Sequence, residues 1–330
     1  MTSFRKLMPR WAFMVVAAGL MSAPAAAIAD NNWPERPISY IVPFTPGGVT
    51  DMIGRIYSTN IGDSLGQSIV VENRPGTGGS LGSASVARAK PDGYTLVGGT
   101  ISSHSINVSI YPDIGYDPIK DFEPIILTGT LPNVLVVRSD SPFNSVDDLI
   151  AAAKKKDEAL SVGSSGIGSS QHLAAELFGS MVGAKLLHVP YKGSAPSLQA
   201  LVAGEIDLLF DNLTSAMPLI QAGRLKPLAI TSRKADPALP DVKPLDQLGL
   251  PGYEVVSWQA TFAPAGTPRP IIDKLHKAMH AALQQPEVQE RLQSAGLTVS
   301  GAGPEDLRAF QETEVAKWAK VAREANIKAQ

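Results

Sequence analysis

The chain has 330 residues, no cysteine, and 29 basic against 31 acidic side chains, a formal charge of −2. Without cysteine it is neither a disulfide-stapled module nor a protein held by a lipidated N-terminal cysteine. No lysine-arginine tract dominates, so nucleic acid is not an expected partner, and the length is enough for two domains of ordinary size.

Residues 1–29 read as a secretory signal peptide. Arg5, Lys6 and Arg10 give a positive start, Trp11 to Met21 an apolar run, and Ala27-Ile28-Ala29 a small-x-small cleavage site before Asp30. The run is too short to span a bilayer comfortably, and no twin arginine accompanies it. Cleavage removes those three basic residues and no acidic one, so the charge becomes −5. No later stretch is long and apolar enough to cross a membrane, so the mature chain is expected to be soluble and periplasmic, in a Gram-negative cell.

Next comes "ISYIV", a short buried strand, then the corner "VPFTPGGVTD" from Val42 to Asp51. Met52 and Ile56, and Ile53, Tyr57, Ile61 and Leu65, recur at helical spacing. "SIVVEN" reads as a second strand, "GTGGSLGSASVARA" as a glycine-rich entry to a helix, and "YTLVGG" as a third strand. That alternation predicts a parallel α/β unit. The pattern lapses between Ser102 and Phe122, and Pro124 to Val137 is then long and apolar, as a strand passing from one lobe to another would be.

A second α/β set follows. It holds a helix opened by Ser145, strand "LSVGSS", a helix over about residues 171–181, strand "KLLHVP", a helix closed by Gly204, and strands "DLLFDN" and "LKPLAIT". "VVSWQATFAPAG" reads as a returning crossover, and the remainder as helical. The predicted fold class is α/β, with two lobes joined by two crossover segments and a ligand cleft between them. Lobe 1 takes residues 30–130 and 255–330, lobe 2 residues 131–254.

Several strand-to-helix corners carry neutral donors. At the first, Thr45 and Thr50 offer hydroxyls, and Gly47 and Gly48 allow close approach to the backbone at a helix N-terminus. On physical grounds alone this is either a ligand seat or a tight turn. Asp51 either braces the loop amides or bonds a ligand hydroxyl or ammonium. "VGSSGIGSSQH" supplies Ser164, Ser165, Ser169 and Ser170; no suitable tyrosine-lysine pair, nucleophile elbow or Walker A accompanies it. "PYKGSAP" supplies Tyr191 and Lys192, and "FDNLTSA" supplies Asp211, Asn212 and a capping Thr214 or Ser215. Trp258 either walls the cleft or fills the hinge core, and His104 and His172 either touch a ligand or are structural. His276 and His280 lack a third ligand, so no metal is expected. No nucleophile, base and orienter assemble from the spacing, so the chain does not read as an enzyme.

The segments "VPFTPGGVTDMIGR", "GQSIVVENRPGTGGSLGSASVARAKPDGYTL", "SSGIGSSQHLAAELF", "HVPYKGSAPSLQALVAGEIDLLFDN" and "FAPAGTP", in this order, resemble the substrate-binding proteins of the tripartite tricarboxylate transporter family, the TctC-like or Bug receptors. The resemblance covers nearly all of the mature chain. It implies a periplasmic-binding-protein type II fold that closes on a small organic carboxylate, with no cofactor. It also implies separately encoded permease subunits, TctA/TctB-like, as partners. A sensor kinase is the alternative partner, and a secreted enzyme acting on an organic acid the third reading. By resemblance the ligand-binding residues are Phe44, Thr45, Gly48, Thr50 and Asp51 at the corner, with Ser103, His104, Ser169, Tyr191, Asp211 and Thr214 around the rest of the pocket.

Overall fold

A computed structural model describes residues 32–155, 159–324 and 327. The signal-peptide reading of residues 1–29 lies outside the described residues. Ten strands follow in chain order: β1 Ile38–Val42, β2 Ile69–Asn73, β3 Thr95–Thr100, β4 Phe122–Arg138 and β5 Ser161–Ser164. Then come β6 Leu187–Pro190, β7 Leu208–Asn212, β8 Leu225–Ile230, β9 Val256–Pro264 and β10 Thr298–Ala302.

The strands share one continuous path, β2-β1-β3-β9-β4-β7-β5-β6, with β10 and β8 also paired to β4. β1 is parallel to both β2 and β3, and β5 is parallel to β6 and β7. The 17-residue β4 connects two half-sheets. From Phe122 to Pro132 it pairs antiparallel with β9; from Asn133 onward it pairs with β7 and β8. The two crossover segments expected from the sequence are therefore β4 and β9, lying side by side in the middle of the sheet.

Apolar periodicity packs the helices onto these half-sheets. In the helix Val49–Asn60, Ile53, Ile56 and Tyr57 are buried against β1, each such burial contributing roughly 1.5–3 kcal/mol. The polar tips of the buried tyrosines are satisfied: Tyr57 OH lies 2.8 Å from Thr128 Oγ1, and Tyr40 OH 3.2 Å from Thr261 Oγ1. Ser145 caps its helix by accepting from the Asp148 N–H, and Gly204 closes its helix with a positive φ of 79°.

Two stretches differ from the sequence reading. Where periodicity lapses after Ser102, the chain is helical: Ser102–Ile106 form a π-turn that runs into the helix Asn107–Ile110. The buried residues Ile101, Ile106 and Ile110 are spaced by five and then four, which neither strand nor α-helix periodicity matches; the wider turn absorbs the extra residue. The C-terminal part is also not wholly helical. After the helices Arg269–Leu283 and Pro286–Ser294 it adds β10, antiparallel to β4, before the helix Pro304–Glu324.

Candidate functional site

The cleft between the half-sheets holds a cavity of about 370 Å³, mouth included. Five lining residues come from the first corner: Phe44, Thr45, Gly48, Val49 and Thr50. Thr100, Ser102, Ser257 and Gln259 complete the lobe-1 wall, and Ser165, Ser170, Gln171, Ser194 and Asn212 form the facing wall. None of these side chains is charged, so any ligand charge must be met by hydrogen bonds and backbone dipoles.

Gly47 sits at φ 91°, a conformation that favours glycine, and Gly48 is the N-cap of the helix Val49–Asn60. No side chain caps that helix, so its first-turn N–H groups and positive dipole end have no side-chain partner. Gly48 itself is extended, at φ −88° and ψ 173°, so no unusual torsion calls for glycine there, and a Cβ built on it meets nothing within 4 Å. Thr45 Oγ1 is buried without a partner. Thr50 donates its hydroxyl to Gln259 Oε1 at 2.8 Å, which turns the Gln259 amide donor outward from that bond.

Asp51 does not line the cavity. Its carboxylate accepts from the Gly47 N–H at 3.1 Å, from Arg55 Nε at 2.9 Å and a terminal nitrogen at 3.1 Å, and from Asn73 Nδ2 at 3.0 Å. The same Asn73 nitrogen reaches the Phe44 carbonyl at 3.1 Å. Asp51 thus staples the corner from behind. Burial pushes its carboxyl up, but the bonds from Arg55, Gly47 and Asn73 together outweigh this and hold it below the usual carboxylate range. Its charge is consumed by Arg55 before any ligand arrives.

The other residues singled out in the sequence stand mostly one or two positions from the cavity. Ser102 lines it, while Ser103 turns inward, with its Oγ 2.9 Å from His104 Nδ1. His104 is fully buried, stacked at 4.3 Å on Phe262 and edge-on to Phe122 at 4.6 Å. Burial, helped by the charge of Arg308, pushes it down to about 3, as suits a neutral core histidine. Ser169 caps the helix Ser170–Val182 by accepting from the His172 N–H, leaving Ser170 and Gln171 to line. His172 Nδ1 accepts from the Gly168 N–H at 3.2 Å, and its ring stacks on His188 at 4.0 Å.

Tyr191 lies off the cavity, with its N–H bonded to the Ser164 carbonyl at 2.9 Å, and Lys192 is exposed. Asp211 is buried directly behind the lining residues Ser194 and Gln171. Thr214 and Ser215 do not cap the helix Leu213–Gln221; Asn212 holds the N-cap position, and both hydroxyls are buried without partners. Trp258 belongs to the hinge core, where its Nε1 donates to Glu314 Oε2 at 3.2 Å.

Gln259 and Ser257 on the returning strand were missed in the sequence. A signal was there: in "SWQATF" the polar Ser257, Gln259 and Thr261 alternate with Trp258, Ala260 and Phe262, which puts the polar set on one face. The lobes also touch across the cleft. Ser170 N–H donates to Ser102 Oγ at 3.2 Å, and Tyr111 OH to the Ile167 carbonyl at 2.8 Å. Gly193 fits against Thr45, and Gly78 against the Ile167 carbonyl, with no room for a Cβ at either. This is a closed cleft.

A family model described as "Tripartite tricarboxylate transporter family receptor" matches residues 53–327. Among curated relatives, protein BugT of Bordetella pertussis is 36% identical over 305 residues, covering 92% of this chain and 94% of its own. Among solved structures, the periplasmic binding protein BugD has a TM-score of 0.87 at 38% identity, covering 90% of this chain and 100% of its own. A Rhodopseudomonas palustris protein solved with adipate has a TM-score of 0.87 at 40% identity, over 90% of this chain and 99% of that one. MatC from the same organism, with bound malate, gives 0.84 at 34% identity, over 88% and 99%.

Proposed function

Because this chain belongs to the tripartite tricarboxylate transporter receptor family, we propose that its cleft captures a small organic carboxylate and hands it to separately encoded permease subunits. The single observation that carries the reading is the first corner. It combines an uncapped helix N-terminus, a glycine with an open side and a partnerless buried hydroxyl, while the nearby carboxylate of Asp51 is turned away and paired. Neutral donors suit reversible capture, because they meet an anion without burying a full ion pair. Adipate and malate in two related structures support the substrate class.

In this reading Phe44, Thr45, Gly48 and Thr50 seat the carboxylate, and Asp51 holds them in place. Ser103, His104, Ser169, Asp211 and Thr214 act from behind the wall, and Tyr191 stands at its edge. Residues 30–130 with 255–330, and residues 131–254, form the two lobes that close on it. Residues 1–29 direct export to the periplasm, where the loaded receptor meets its permease.

Titration calorimetry and thermal unfolding with a panel of organic acids test this. One acid per chain, a ligand-dependent rise in Tm and recovery of the acid unchanged are expected. Turnover of the bound acid, or no binding by any acid in the panel, would overturn it.

A further inference from the structure

Resting on the carboxylate-receptor reading above, the contacts between the lobes specify a device that holds the cleft shut. The turn Thr77–Gly79 of lobe 1 meets residues 166–168 of lobe 2. A Cβ built on Gly78 would lie 2.5 Å from the Ile167 carbonyl oxygen, and one built on Gly168 would run into Asn107 Oδ1. At both positions the lobes touch where only a glycine leaves room. Tyr111 OH donates to the same Ile167 carbonyl at 2.8 Å.

Asn107 builds the lobe-1 side of this contact. It is fully buried at the start of the helix Asn107–Ile110. Its Nδ2 donates to Ser80 Oγ at 2.8 Å and to the Gly78 carbonyl at 3.0 Å, with the Thr77 carbonyl at 3.3 Å. Turned round, the amide would set its oxygen against two carbonyls, so its direction is fixed. The turn needs that support. Thr77 has a φ of 49°, alone among the described non-glycine residues in being positive, and a β-branched residue stays there only where its surroundings over-determine it. On its other side the turn packs on the carboxylate seat: a Cβ on Gly79 would lie 2.9 Å from Phe44 Cζ, and Phe44 lines the cavity. Socket and seat are thus one packed unit.

The bonds from Asn107 to Gly78 and Ser80 lie within lobe 1, so they persist when the lobes part. The contacts of Gly78, Tyr111 and Asn107 Oδ1 with residues 166–168 exist only in the closed cleft. There Oδ1 is buried without a partner. On closure it loses access to water and gains no donor, which keeps the contact weak enough to open again.

We propose that Asn107 is the positioning residue of a closure latch: its amide shapes the turn Thr77–Gly79 into a preformed socket, and residues 166–168 of lobe 2 seat in that socket when a ligand draws the lobes together.

The test compares the mature chain with three variants. Gly78→Ala carries a Cβ into the Ile167 carbonyl and bars the socket. Gly66→Ala is its control, because Gly66 has a similar positive φ of 72° with nothing within 4 Å of its Cβ. Asn107→Ala removes the support of the turn; should it not fold, Asn107→Asp takes its place, keeping the volume while facing the two carbonyls with an acceptor. Calorimetric titration reads affinity and small-angle X-ray scattering reads compaction, with whichever of succinate, malate and adipate binds wild type most tightly. Wild type and Gly66→Ala should both compact on binding and agree in Kd within about threefold. Gly78→Ala and the Asn107 variant should lose most of the compaction and bind at least about tenfold more weakly. The acid should still shift the Val49 and Thr50 amides in their NMR spectra, because the seat is intact. A folded Gly78→Ala that compacts and binds like wild type overturns the latch, and so does an equal loss in Gly66→Ala, which would assign the effect to backbone strain. A folded Asn107 variant that closes like wild type overturns the role of Asn107. Failure of wild type itself to bind any of the three acids would instead remove the carboxylate-receptor reading.

Discussion

Gly48→Val puts a branched side chain at the mouth of the carboxylate seat without straining the backbone. At φ −88° and ψ 173° any L residue is accepted, and a Cβ built on Gly48 meets nothing within 4 Å. For folding, valine is a poorer N-cap than glycine, but losing a glycine restricts the unfolded chain. Each effect is on the order of 0.5–1 kcal/mol with opposite sign, so stability should change by less than about 1 kcal/mol. For binding, the valine methyl groups occupy the approach to the helix N–H groups in a cavity of only about 370 Å³, mouth included. Losing one charge-assisted hydrogen bond, about 1.5–3 kcal/mol, and part of the helix-end attraction, about 0.3–1 kcal/mol, amounts to roughly 100-fold in Kd. Calorimetric titration with the tightest-binding acid, beside urea unfolding of the unliganded protein, reads both numbers. A Kd within about threefold of wild type at unchanged stability would refute the close-approach argument.

Three further outcomes follow from the geometry. Asp51→Asn should lower stability by about 1 kcal/mol or less, because half-exposed Arg55 is screened, and should leave the rank order of ligands unchanged; selective loss of amine-bearing ligands would show instead that Asp51 touches them. The same carboxyl, held below its unfolded pKa, contributes stability above that pKa that is lost as pH falls through the folded value. Tyr111→Phe removes a bond between the closed lobes worth about 0.5–1.5 kcal/mol, so stopped-flow release should quicken by up to about tenfold, and an unchanged release rate would count against it as a latch. His104, pushed down to about 3, contributes stability above the unfolded histidine pKa and loses it as pH falls from about 6.5 toward 3, at up to about 1.4 kcal/mol per pH unit. Acid unfolding of His104→Gln should be correspondingly flatter between those limits, and an unchanged slope would place the acid-sensitive group elsewhere.

Much of the fold is legible in the sequence because its signals are local. The glycine at the end of the helix Ser194–Ala203, the Ser145 cap and the apolar stripe of the helix Val49–Asn60 each act within a few residues. The first corner is legible for the same reason: proline, glycines and threonine lie together just before a helix. What escapes is set by tertiary partners. The π-turn at Ser102–Ile106 shifts the phase of its helix, so Ser102 faces the cavity while His104 enters the Phe262 stack. Asp211 and Asn212 are neighbours at the end of one strand; the pleat and the start of the next helix decide which faces the cleft. The orientation of Asp51 depends on Asn73, more than twenty residues away, which shares its carboxylate with Arg55.

The proposed function stands on a carboxylate docking at the N-terminus of the helix Val49–Asn60 inside the closed cleft. Amide proton–nitrogen NMR spectra of the labelled protein, titrated with the tightest-binding acid, address it directly. The Gly48, Val49 and Thr50 N–H groups should shift downfield and saturate at one acid per chain. Saturable binding that leaves those three amides unmoved would contradict it.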